Sequence, residues 1–134
     1  MQAGVGLFLA GLLVGFAVPA FANPRMGLAS HLEGVMNGLF LVALGLLWPR
    51  LVLPPRLLAA TFWLAIYGTV ANLLATLLAA AWGAGRMMPI AAQGLLGTPW
   101  QERLIAGLLV SLSIAMVVVC LLVLAGLRRP RASE

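Results

Sequence analysis

LLAATFWLAIYGTVANLLATLLAAAWGAG, residues 57–85, runs for 29 positions without a charged side chain. A helix rises about 1.5 Å per residue, and a bilayer core about 30 Å thick takes roughly 20 apolar residues to cross. The stretch therefore spans a membrane with length to spare. Working outward from it, charge-free runs also cover 1–24, 34–49 and 104–127, which is 24, 16 and 24 residues. Two of these span unaided. The 16-residue run does not, so its helix has to start before His31 and carry both His31 and Glu33 into or beneath the headgroup layer.

Composition points the same way. Of 134 residues, 63% are hydrophobic and 8% charged, whereas a soluble domain carries about a quarter charged residues. A water-soluble fold is excluded. The eight basic residues are all Arg and face Glu33, Glu102 and Glu134, for a net charge of +5. Their spread is too sparse for nucleic acid and suits lipid headgroups. Cys120 is the single cysteine, so no intrachain disulfide forms. The absence of Asp and the single His remove most hydrolytic constellations.

Local chemistry sets the boundaries. Asn23-Pro24 and Thr98-Pro99 each put a capping side chain before a proline at the first helical position, and Gln101 completes a capping box with Thr98. Trp48-Pro49 closes the second helix and Pro54-Pro55 precedes the third. The expectation is one all-α membrane domain over 1–134, a four transmembrane helix bundle with helices at 2–22, 25–48, 56–83 and 99–127 and a polar tail at 128–134. The first segment lacks a positive n-region and is too long for a signal peptide's apolar region, so it reads as a span. Four spans put both termini on one side with Arg50, Arg56, Arg128, Arg129 and Arg131, against Arg25, Arg86 and Arg103 opposite. That bias makes the termini cytoplasmic.

Polar side chains within hydrocarbon are costly and face an interior, a partner or a ligand. Asn37 and Asn72 fall near the midpoints of the second and third helices. They serve either as a hydrogen bond that sets registry or as groups in a pocket. His31 lies about 9 Å along the axis from Asn37, and at 100° per residue Gly34, Gly38 and Gly45 fall within about 60° of it. Against Gly68, Ala71, Asn72, Ala75 and Ala79 of the third helix, these glycines outline either close packing or a flat slot beneath the imidazole. Gly11 and Gly15 read as close packing. An imidazole above such a slot suits a haem. With one His, the sixth ligand is Met87 or Met88, or the position stays open to substrate. Glu33 reads as a rim carboxylate paired with Arg25 or Arg86, or as a support for the pocket. Glu102 and Arg103 read as a capping-turn acid and an interface anchor.

The run from His31 through Glu33 and Gly34 to Asn37-Gly38, then Trp48-Pro49, then Gly68 to Asn72, resembles the small four-helix membrane isomerases. These comprise styrene oxide isomerases and hydroxylaminobenzene mutases, and the lead-in Ala22 to Gly27 is closer to the mutases. The resemblance implies haem b held by His31 with Gly34 and Gly38 making room, Asn37 and Asn72 beside substrate, and a homotrimer with haem between neighbours in a bacterial inner membrane. The epoxide branch has a catalytic tyrosine where this chain has Thr76, which favours the mutase reaction, with Tyr67 as an alternative phenol. The expected activity is rearrangement of hydroxylaminobenzene to 2-aminophenol. The rivals are epoxide rearrangement and a non-enzymatic haem-binding membrane subunit. A small exporter of hydrophobic cations would need an acid buried within a span.

Overall fold

The computed structural model describes residues 1–127; the tail with Arg128, Arg129 and Arg131 lies outside the described residues. Helix α1 covers Gln2–Ala17, α2 Pro24–Leu47, α3 Pro55–Trp82, the short α4 Pro89–Ala92 and α5 Pro99–Leu127. Four of them, α1, α2, α3 and α5, are long and apolar enough to cross a membrane. An all-α four-span architecture is therefore borne out. The first helix stops at Ala17, short of the expected 22, because Pro19 draws Val18–Ala20 into a 3-10 turn.

The punctuation is local. Asn23 Oδ1 accepts from Met26 N at 3.0 Å with Pro24 at the first helical position. Trp48–Arg50 tightens to a 3-10 turn around Pro49, and α3 starts at Pro55. It ends on Gly83, whose φ of 65° is left-handed and suits a residue without Cβ. Thr98 N donates to Gln101 Oε1 at 2.8 Å, one arm of the expected capping box.

The spans pack in chain order, α1 on α2, α2 on α3, α3 on α5, while α1 and α5 make no substantial contact among the described residues. Small residues govern these contacts, as they must where lipid is as apolar as the helix faces. A Cβ on Gly34 would lie 2.5 Å from Gly11 Cα, and one on Gly38 would lie 2.5 Å from Phe8 N. Backbone therefore touches backbone between α1 and α2. The slot expected between these glycines and α3 is filled by α1. Gly68 also faces elsewhere: a Cβ there would meet Met116 Sδ of α5 at 2.6 Å.

The threonine hydroxyls of α3 are satisfied within their own helix. Thr61, Thr69 and Thr76 donate to the carbonyls of Leu57, Ala65 and Asn72 at 2.7, 2.8 and 2.9 Å. Outward faces are apolar, with Phe16 at 85% and Trp63 at 67% exposure. Such faces require hydrocarbon around them.

At one end the 84–98 connection is built as a structure of its own. Asn23 Nδ2 donates to Ala91 O at 2.9 Å, and its backbone N to Ala80 O at 3.0 Å, tying α2, α3 and α4. Glu102, only 3% exposed, accepts from the backbone N of Gly85, Arg86 and Gly97 at 3.1, 3.0 and 2.8 Å. Both oxygens are consumed. The acid expected to serve only its helix start instead clasps the connection.

Three expected outcomes follow. Gly34→Ala should lower stability by about 1–3 kcal/mol, because a Cβ must force α1 from α2. Gly107, with nothing within 4 Å of an added Cβ, should tolerate Ala, with a gain of about 0.5–1 kcal/mol. Thermal unfolding in detergent checks the two glycine substitutions. Glu102→Ala should leave three amides without an acceptor and speed limited proteolysis within 84–98, measured by mass spectrometry of the fragments.

Candidate active site

The polar residues of α2 divide between its two flanks. Two residues along a helix turn the side chain by about 200°, so His31 and Glu33 face nearly opposite ways. His31 faces α1, with Nδ1 2.8 Å from Gly11 O, and its ring fills the notch where a Cβ on Gly15 would come to 2.8 Å. With a carbonyl as partner, Nδ1 is the donor, which leaves Nε2 as the basic nitrogen. Among the described residues no protein group bonds Nε2.

Glu33 faces α3. Its Oε2 accepts from Asn72 Nδ2 at 2.6 Å and from Asn37 Nδ2 at 3.4 Å. All three side chains are partly buried. Asn37 and Asn72 are thus brought together, but through the carboxylate and not by a direct amide pair, one of the two readings of the sequence. The expected rim pairing is overturned: neither Arg25 nor Arg86 bonds Glu33 among the described residues, and the carboxylate sits in the α2/α3 seam. The i, i+4 spacing of Glu33 and Asn37 put both on one helical face in the sequence. That face was legible; its pairing with Asn72 was not.

Tyr67 is not part of this cluster. Its hydroxyl lies 2.6 Å from Ser111 Oγ on α5. Thr76 has both its contacts on carbonyls of its own helix, Asn72 O and Leu73 O. Neither hydroxyl reaches the carboxylate. Gly34 and Gly38 lie under α1, so neither opens onto a slot.

Beside His31 is an open groove of about 530 Å³, lined by Leu12, Gly15, Phe16, Val18, Pro19 and Leu28. Met87 and Met88 line a neighbouring cavity with Arg25 and Leu32 and do not line this one. A crevice of about 410 Å³ at the opposite end, between Met1, Trp48 and Phe62, contains none of the polar cluster. No group of three or more His, Cys, Asp or Glu converges among the described residues. A lone imidazole against an apolar wall therefore suits a metal that arrives already coordinated by a macrocycle. The Nδ1 bond to a backbone carbonyl is the usual way a ligating imidazole is oriented, and the missing Cβ of Gly15 provides the ring's seat. These residues fit a haem.

The described residues form a four-span membrane protein with a carboxylate and two carboxamides in one seam and a free imidazole nitrogen on the opposite flank. A profile of the styrene oxide isomerase family matches residues 1–128, and the chain belongs to that family. The resemblance carried by His31, Asn37, Gly38 and Asn72 is borne out at that level. The chain is 63% identical over 129 residues to hydroxylaminobenzene mutase HabB of Ectopseudomonas oleovorans, covering 96% of its own length and 79% of that protein's. It is 51% identical over 127 residues to hydroxylaminobenzene mutase HabA of the same organism, covering 94% of each. No solved structure matches the chain.

The unequal distances to Glu33 make a testable difference. Asn72→Leu removes the 2.6 Å donor and should cost about 1–3 kcal/mol, whereas Asn37→Leu removes a 3.4 Å contact and should cost less than half as much. Unfolding of the two variants side by side in one detergent measures the ratio. Equal losses contradict the assigned geometry.

Proposed function

We propose that the protein is a hydroxylaminobenzene mutase, which moves the hydroxyl of an aryl hydroxylamine from nitrogen to the ortho ring carbon and yields a 2-aminophenol. The observation that carries the reading is 63% identity across 96% of the chain to a protein named for that reaction. Side chains support it against epoxide rearrangement. Thr76 stands where that branch has a catalytic tyrosine, and Tyr67 has its hydroxyl on Ser111.

The substrate is a small aromatic molecule with one N–H and one O–H, so it partitions into a bilayer and reaches the half-buried cluster laterally. Asn37 and Asn72 each spend an amide N–H on Glu33 and keep a carbonyl oxygen to accept from the substrate's N–H and O–H. In a site without water these hydrogen bonds are stronger and cationic character on the ring is shielded from capture at the wrong carbon.

His31 is the residue that would hold haem b, through Nε2, with Gly15 seating the ring. Bound there, ferric haem would supply a Lewis acid for the hydroxylamine oxygen without net redox. Gly34 and Gly38 would act indirectly, by letting α1 approach closely enough for Gly11 to orient the imidazole.

A homotrimer with haem between neighbours is supported by the opposite placement of the two polar flanks of α2. A site between neighbours combines His31 of one copy with the carboxylate–amide cluster of the next. The arginine bias supports cytoplasmic termini in a bacterial inner membrane.

Detergent-purified protein should show a haem absorption band that His31→Ala abolishes, and should convert phenylhydroxylamine to 2-aminophenol in preference to rearranging styrene oxide. Colourless, active protein removes iron from the reading. Turnover of the epoxide alone reverses the choice of branch.

A further inference from the structure

We infer that Glu33 is the proton-transfer residue of this reaction, taking the ring proton released at the ortho carbon and returning it to nitrogen. The assignment rests on the mutase reading above.

The chemistry demands such a group. When the hydroxyl leaves nitrogen with the N–O electron pair and rejoins the ring at the ortho carbon, the product is a neutral hydroxy-cyclohexadienimine with the same atoms as the substrate. Its ortho carbon is tetrahedral and still carries hydrogen. Aromaticity returns only when that hydrogen leaves as a proton, its C–H electron pair re-entering the ring while the imine nitrogen gains a proton. The transfer is balanced, consumes no oxidant or reductant, and needs one base that then acts as an acid.

Among the described residues two carboxylates are present, and they are in opposite states. Glu102 is buried with both oxygens filled by backbone amides. Glu33 has both its donors, Asn37 and Asn72, on a single oxygen, Oε2. Oε1 bonds no protein group among the described residues and is not sealed from its surroundings. Among the described residues no arginine pairs with it. A carboxylate in a membrane seam, held by one oxygen and open at the other, is built to exchange a proton.

The same arrangement orients the amides. With an N–H of each committed to Oε2, their carbonyl oxygens remain for the substrate. Held through its own N–H or O–H, the aromatic amine is set beside the carboxylate that must serve both its carbon and its nitrogen. Orientation and proton transfer come from one cluster.

The test uses the full-length protein in detergent with phenylhydroxylamine as substrate. Glu33→Gln, which retains an acceptor for Asn72 but cannot shuttle a proton, should lower kcat by about 10²-fold or more. Its helical circular dichroism and elution volume should match the wild type. Ring-deuterated phenylhydroxylamine should show a larger isotope effect in Glu33→Gln than in the wild type, because C–H cleavage becomes limiting. Added formate should restore a large part of the rate in Glu33→Ala, where a cavity admits a small carboxylate.

Wild-type protein that forms no 2-aminophenol overturns the mutase reading and this assignment with it. Active wild type together with undiminished Glu33→Gln overturns Glu33 alone. A loss that formate does not restore and that leaves the isotope effect unchanged reduces Glu33 to a structural tie, which also overturns the assignment.

Discussion

Gly11 and Gly34 meet backbone to backbone, and the arrangement of the other spans depends on that approach. A Cβ on Gly11 would lie 2.6 Å from Val35 N, so neither helix surface tolerates one. In a bilayer the lipid tails are as apolar as leucine, and association comes from close van der Waals contact and buried hydrogen bonds. Once α1 lies in this glycine track, the rotation of α2 is settled. Gly11 O then meets His31 Nδ1 at 2.8 Å, and the opposite side of α2 is left to α3.

The second constraint is that polar atoms in hydrocarbon must find partners within the protein. Each class of side chain meets it differently. Threonines of α3 bond back to carbonyls of their own helix, Tyr67 bonds to Ser111, and Asn23 and Glu102 bond backbone at one end of the spans. Among the described residues no fully buried side-chain polar atom is left without a partner. Against that background, His31 Nε2 and Glu33 Oε1 stand out as unengaged and accessible.

Much of this was legible residue by residue. The spans follow from gaps between arginines and glutamates, and the breaks between the second and third helices follow from Pro49, Pro54 and Pro55, because those signals act over one or two turns; the stop at Pro19 was missed. Candidate polar residues were legible too, since Asn37, Asn72 and His31 are costly in hydrocarbon wherever they face. Their grouping was not. An angular plot puts Gly34 and Gly38 on the His31 side, yet it does not say whether α1 or α3 occupies that side. The flat slot against α3 failed for this reason, and Gly68 with Tyr67 proved to face α5. Glu33 was misjudged as a rim group because its nearest charges in sequence are arginines, whereas its partners come from a neighbouring turn and from α3.

The chain's own chemistry decided that this is a four-span membrane protein, where each helix begins and ends, and which few polar groups the hydrocarbon must accommodate. Those properties depend on apolar length, charge position and proline, all short-range. Family membership also rests on the order of residues. Tertiary packing alone decided that α1, not a cofactor slot, covers Gly34 and Gly38. It also decided that His31 and Glu33 serve opposite flanks, and that one carboxylate gathers both asparagines. The physical reason is that helix rotation and neighbour choice are set by the summed fit of small surfaces between helices, and no single segment contains that information.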